Sequence, residues 1–346
     1  MTKLTRLSLV AAVAVAGLTN VNAASLEEAI KGVDVSGQFQ FRAQDKNSTT
    51  AGVSTSNNGT DVEIEVGVKV PVTDNVTAVF KIDNANDDYD AVTKGGVAIE
   101  DYYFSYANEG TTVNFGQQNI PGRMTDGAQG DGIVALQKVG AFTVGAAAFM
   151  TNSVTSGDDV YSVMAMGNVG PVSLLGQYAT LPDVMDAYNV KADAKIGMVN
   201  VGAEYTSKDL EGSSLEYSTA KLSAAAKMDA LSASLLYVET GKNGSGSIDE
   251  TNDAAAETIL WYSGSGKKAD LSAFKIDASY ALNSKTSLRA AYLGGDYGTA
   301  STDLKETVVQ VSYKAASNLN TYLRLGQFED GATEQDAGRV EVKYTF

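Results

Sequence analysis

No stretch of this chain approaches the roughly 18 consecutive apolar residues of a membrane-spanning helix, yet apolar and polar residues alternate in segment after segment. In "DVEIEVGVKV", Val62, Ile64, Val66, Val68 and Val70 share one parity, while Asp61, Glu63, Glu65, Gly67 and Lys69 share the other. Successive strand side chains point to opposite faces, so such a segment is apolar on one side and charged on the other. One strand of this kind fits the edge of a soluble sandwich. The pattern, however, recurs in "VDVSGQFQFR", "NVTAVFKID", "TTVNFG", "MVNVGAEYT", "TSLRAAYL", "TVVQVSYK" and "GRVEVKYTF", and more weakly in "AFTVGAAAF", "PVSLLGQY", "DAYNVKADAK", "ALSASLLYV" and "NLNTYLRLG". About eighteen candidate strands of about ten residues result, with sixteen as the alternative count, and that length spans a bilayer when the strand is tilted.

The links between these strands alternate as well. Short turns at "PVTDN", "NEG", Gly140, "NVGP", "IGM", "MDA", "NSK" and "ASN" take turns with longer polar links at 44–60, 84–96, 119–130, 151–159, 181–185, 208–213, 241–268, 295–303 and 329–336. Eight short and nine long links are what an eighteen-stranded up-and-down antiparallel barrel with periplasmic termini requires, and a soluble sandwich has no reason to sort its links this way. Tyr102 to Tyr106, Tyr178, Tyr205, Tyr237, Tyr280, Tyr292, Tyr313 and Tyr344 stand near strand ends, where an apolar ring with a polar tip suits the lipid boundary.

The first residues carry Lys3 and Arg6, an apolar run from Leu7 to Leu18 and a small-residue site at Val21, Asn22 and Ala23, the pattern of a secretory signal peptide over 1–23. The barrel is then expected over 24–346. Of 26 Lys and Arg, 24 remain against 42 Asp and Glu, for a net charge of −18, which makes nucleic acid an unsuitable partner. The chain has no Cys, so no disulfide supports an exported fold, and a large core, a metal or a membrane must do so instead. It also has no His, which removes the usual general base near neutral pH and the His and Cys metal sites. The expectation is therefore a non-enzyme.

The chain ends in "VEVKYTF". A last strand of this pattern closes the barrel against "VDVSGQFQFR", so that no unpaired edge is left in lipid. Tyr344 and Phe346 are then the candidate signal read by the barrel-assembly machinery, since outer-membrane barrels commonly end in such a strand.

Two segments carry a family resemblance. "ASLEEAIKGVDVSGQFQFRAQ", with Val33, Asp34, Val35, Ser36 and Gly37 at its core, resembles the mature start of the major outer-membrane porins of the Campylobacter group and its relatives. "FGQQNIPGRMTDGAQGDGIVAL" resembles the strand, Thr-Asp-Gly loop and returning strand of the same family. The two segments cover about an eighth of the chain. The resemblance implies an eighteen-stranded barrel in the outer membrane, a homotrimer, that passes ions and small hydrophilic solutes by passive diffusion. It also implies that bound calcium is compatible with the channel, although no motif here defines a site: "DNANDDYD" has Ala85 at the third position of the calcium-loop pattern and lacks glycine at the sixth.

An eighteen-stranded barrel is wide enough for water, so an inward loop is expected to set its selectivity. The link 119–130 is the candidate constriction loop, with Asp126 and Asp131 presenting negative charge and Arg123 either pairing with them or facing the solute. An outward polar loop is the alternative. Arg42, Lys81, Arg289 and Arg324 fall on the polar parity of their strands and are candidate pore-lining residues, either as a basic ladder facing the acidic loop or as partners of wall carboxylates such as Glu63, Glu65, Asp277 and Glu341. The acidic excess predicts a mild cation preference. An adhesin or structural barrel with surface-exposed loops is the alternative function.

Overall fold

The computed structural model describes residues 32–84, 96–125, 127–154, 157–248 and 259–346. They form eighteen antiparallel strands: β1 Asp34–Thr50, β2 Val53–Thr73, β3 Val76–Asp83, β4 Ala98–Asn108, β5 Thr111–Asn119, β6 Gln129–Val139, β7 Phe142–Asn152, β8 Val160–Val169, β9 Val172–Leu181, β10 Met185–Ile196, β11 Val199–Leu210, β12 Glu216–Met228, β13 Leu231–Thr240, β14 Ser272–Ala281, β15 Thr286–Tyr297, β16 Thr302–Ala316, β17 Leu319–Asp330 and β18 Thr333–Thr345. Each strand pairs with its sequence neighbours, and β18 returns to β1 in a register running from Gln38 opposite Thr345 to Thr50 opposite Thr333. The sheet is thus a closed barrel without a free edge. The proposed signal peptide and the acidic lead after it lie outside the described residues.

The alternation of the sequence becomes an inside and an outside. Val35, Phe39, Phe41, Ile64, Val309, Val311, Val340 and Val342 are exposed on the outer surface, as a lipid-facing wall requires. The outer surface also displays Tyr102, Tyr178, Tyr205, Tyr237, Tyr280, Tyr292, Tyr313 and Tyr344. Phe346 is tied to the seam: its N–H donates to the Gly37 carbonyl at 3.1 Å, and its own carbonyl accepts from the Gly37 N–H at 3.0 Å. Its ring stacks on Tyr344 with centroids 5.9 Å apart.

The eight short turns fall where the sequence predicts them, but several links expected to be long are tight. β1 and β2 run on as a paired ribbon to a turn at Ala51 and Gly52, so most of the expected 44–60 link is strand. The β9–β10, β15–β16 and β17–β18 links likewise reduce to 182–184, 298–301 and 331–332. Beyond the membrane both strand faces meet water, so polar residues there lose the hydrophobic alternation while the backbone ladder continues unbroken. Periodicity reads the solvent of a strand and misses the pairing that outlasts it.

The barrel also carries apolar material inside. One buried cluster joins Ile120, Met124 and Ala128 of the β5–β6 link to Val134, Phe149, Val160, Ala179, Leu181 and Ala187 on the inner wall of β6–β10. A second joins Ile259 and Leu271 of the β13–β14 link to Val238, Ala273, Leu293 and Leu304 on β13–β16. Both links therefore fold into the bore. The strands beneath them include "AFTVGAAAF", "PVSLLGQY" and "ALSASLLYV", whose alternation is weak because both of their faces are partly apolar.

Candidate functional site

The β5–β6 link folds into the bore and docks on the inner wall of β8 to β11 through polar contacts. The Arg123 guanidinium lies against Glu204 of β11, with Nε and Nη2 each donating to one carboxylate oxygen at 2.8 Å. Glu204 Oε1 also accepts from Asn189 Nδ2 of β10 at 2.9 Å. The backbone N–H of Arg123 donates to Gln177 Oε1 of β9 at 2.7 Å, and Gln177 Nε2 donates to Ser162 Oγ of β8 at 3.1 Å. Gly122 makes this approach possible: with φ of +131°, it sits where a Cβ would fall 2.0 Å from Gln177 Nε2. Sequence reasoning placed Arg123 in the loop, either pairing with Asp126 and Asp131 or facing the solute; in the structure its guanidinium pairs with Glu204, more than eighty residues away. Asp131 is an exposed residue of β6 beside a register shift at Asp131 and Gly132, and Asp126 lies outside the described residues.

The cationic wall residues divide into two groups. Arg42 of β1 is held among carboxylates, with Nε 3.1 Å from Glu341 and Nη1 3.5 Å from Glu63 and 3.7 Å from Asp61. Lys81 of β3 bridges Glu100 at 2.8 Å and Glu65 at 3.1 Å. Arg289 of β15 is doubly bonded to Asp277 of β14, with Nη2 2.5 Å from Oδ2. For these three the wall-carboxylate alternative describes the contacts. Arg324 of β17 differs: its Nε donates to the neutral Gln310 Oε1 at 2.7 Å. Arg339 of β18 donates to the neutral Gln44 Oε1. Register lines up Arg289, Gln310, Arg324, Arg339 and Gln44 as one row across five adjacent strands, β15 to β18 and β1.

Trp261 of the β13–β14 link lies over Arg324 and Arg339 in this row, an arrangement that sequence reasoning missed. The beginning of the link is fixed near β12, where the Ser218 N–H donates to the Gly244 carbonyl at 3.1 Å and Asn243 Nδ2 donates to the Glu216 carbonyl at 2.9 Å. Its end is pinned by Glu306 of β16, which is only 1% exposed and accepts backbone N–H bonds from Trp261, Tyr262 and Ser263 at 2.9 to 3.2 Å. The Trp261 ring lies 5.1 Å from the Arg324 guanidinium carbon and 5.3 Å from that of Arg339. It rests on Gly326 of β17, where a Cβ would stand 3.1 Å from the indole. The available sequence signal was the apolar content of "ETILWY" within an otherwise polar link, together with the weak alternation of β13.

Opposite charges therefore occupy different sectors of the wall. Asp61, Glu63 and Glu65 on β2 and Glu100 and Asp101 on β4 form an acidic sector relieved by Arg42 and Lys81, and it adjoins the Arg324 and Arg339 sector through β1. Among the described residues, no group of three or more acidic side chains is arranged to hold a metal ion.

Several solved barrels resemble this one. OpdL of Pseudomonas aeruginosa superposes with a TM-score of 0.72 at 11% identity, covering 90% of this chain and 99% of its own. The outer membrane protein OpdK of the same organism gives 0.73 at 13% identity, covering 90% and 99%. OccAB4 of Acinetobacter baumannii gives 0.71 at 11% identity, covering 90% and 98%. At such identities the likeness concerns the fold. No curated protein matches the sequence. The model of the Campylobacter major outer membrane protein family matches residues 2–312, nine-tenths of the chain, and together with the closed barrel, its apolar exterior and its charged bore this places the chain in that family of outer-membrane porins.

Proposed function

We propose that this protein is a water-filled channel for passive diffusion of ions and small hydrophilic solutes, with a mild cation preference, narrowed by the link 119–130. The observation that carries the reading is the docking of that link on the inner wall by the Arg123–Glu204 pair, a charged contact that suits a hydrated bore. The cation preference rests on the acidic sector of β2 and β4 and on the excess of 42 acidic over 26 basic residues. Carboxylates within about 8 to 10 Å of the path raise the local cation concentration. Arg123 then lies where a permeating solute would pass it, and Arg42, Lys81, Arg289 and Arg324 line the wall behind.

The working form in this reading is a homotrimer exported by the segment 1–23 and inserted by the assembly machinery through the β18 end at Tyr344 and Phe346. Planar-bilayer recording tests it. Stepwise conductance is expected, with a reversal potential across a potassium chloride gradient on the cation side and a conductance block by neutral sugars that sets in above a defined size. The absence of steps would remove the diffusion reading, and a reversal potential on the anion side would remove the cation preference.

A further inference from the structure

The wall of this barrel holds its cations in two ways. Arg42, Lys81 and Arg289 each face carboxylates, which cancel much of their field at short range. Among the described residues, Arg324 donates through Nε to a glutamine oxygen and lies 4.7 Å from the Tyr322 ring, with no carboxylate bonded to it. Arg339 stands directly opposite it in register. Two neighbouring guanidiniums, each bonded to a glutamine oxygen, concentrate positive charge at one place on the wall, and in an open bore a guanidinium edge offers parallel donors to a planar oxyanion.

Yet the pair does not stand open. The indole of Trp261 sits over both guanidiniums, and three independent features place it there. Glu306 gathers three consecutive backbone N–H groups of the segment. The absence of a side chain at Gly326 provides the bed for the ring. Tyr262 stacks on the indole with centroids 4.8 Å apart and reaches Phe328 of β17 at 6.1 Å. An aromatic face over a guanidinium stabilises the cation while occupying the space a counter-anion would take. Glu306 acts at one remove: a carboxylate already inside the wall takes the place of a loop anchor, and its charge strengthens all three bonds.

We propose that Trp261 is a selectivity-determining residue that covers the Arg324–Arg339 pair and so keeps the pore cation-preferring, and that Glu306 is the positioning residue that holds it in place. The cover is separate from the Arg123–Glu204 dock, which belongs to another link and another sector of the wall. The inference rests on the diffusion reading above for its electrical consequence, but not for the docking itself.

Trp261 is the single tryptophan of the chain, so its emission reports its own position. In detergent-solubilised barrel, Glu306→Ala is expected to red-shift the emission and to raise quenching by iodide about twofold or more, with Glu306→Gln in between because an amide oxygen still accepts part of the bonding. Gly326→Val, which fills the bed while leaving Trp261 and Glu306 themselves unaltered, is expected to do the same. In planar bilayers, Trp261→Ala is expected to lower the potassium-to-chloride permeability ratio about two- to threefold. Arg324→Gln added to Trp261→Ala should restore the wild-type ratio. Unchanged emission and quenching in both Glu306→Ala and Gly326→Val would overturn the positioning role, and an unchanged permeability ratio in Trp261→Ala would overturn the selectivity role. A wild-type barrel that opens no channels would remove the diffusion reading and the selectivity role with it, while the fluorescence would still decide whether Glu306 holds the indole.

Discussion

At the scale of single residues, the inner and outer faces of this barrel obey opposite rules. Leu235 of β13 is exposed on the outer surface, and its neighbour Ser234 faces inward opposite Asp277. Leu235→Arg should therefore cost about 2 to 4 kcal/mol of barrel stability, the burden of a cation in hydrocarbon near the mid-plane. Ser234→Arg should change stability by only about 0.5 kcal/mol, since it meets water and a carboxylate. Urea unfolding from lipid vesicles compares the two, and equal losses would mean the faces are wrongly assigned. The Arg123–Glu204 pair follows a third rule, that of a charge-assisted clamp at the edge of the bore. Glu204→Ala removes two bonds to the guanidinium and is expected to loosen the loop by about 2 kcal/mol, read as noisier single-channel current and easier tryptic cleavage after Arg123. Glu204→Gln should show a smaller effect, because one oxygen still accepts.

At the scale of elements, the strands do two jobs along their length. The membrane-spanning parts sort apolar from polar, whereas the outer ends of β1 and β2 form a ribbon polar on both faces up to Ala51 and Gly52. Replacing residues 48–55 by Asn-Gly joins Asn47 to Ser56, which already face each other, through a two-residue turn suited to a hairpin. The shortened barrel is expected to keep its unfolding free energy to within about 1 kcal/mol, because the removed residues bury little apolar surface. A loss of several kcal/mol in the same urea experiment would show that the ribbon supports the wall. The two in-folded links behave differently: each brings its own apolar residues, Ile120 and Met124 in one and Ile259 in the other, to the inner wall. Ile248, near the start of the second link and apart from its Trp261 end, belongs to the cluster beneath the first.

At the scale of the molecule, stability in lipid depends on closure, because every open strand edge would leave backbone groups unpaired in hydrocarbon. The seam is zipped by thirteen register pairs between β1 and β18 and by the two bonds between Phe346 and Gly37. Deleting Phe346 removes those two bonds, worth about 1 kcal/mol each, at the point where the sheet meets itself. The truncated chain is expected to form the heat-modifiable barrel more slowly in lipid vesicles and to lose it at a lower temperature, both read from gel migration. Unaltered kinetics and heat resistance would mean that β18 alone completes the seam.

The sequence by itself determined the strand count, the closing of the last strand on the first, the sidedness of the links and the division of residues into lipid-facing and bore-facing sets. All of these follow from local periodicity, because in a single-layer wall the solvent on each face is dictated by the alternation of neighbours along one strand. The sequence also pointed to the link 119–130 as an inward loop, but only the tertiary structure revealed the second inward link and decided whom the bore charges meet. Arg123 finds Glu204, and Trp261 finds Arg324 and Arg339, on strands several places away in the sheet, which the links reach only by folding into the closed barrel. No local spacing in the sequence encodes those contacts. The trace that remains is indirect: weak alternation in β7, β9 and β13, where the inner wall had to be apolar to receive a loop.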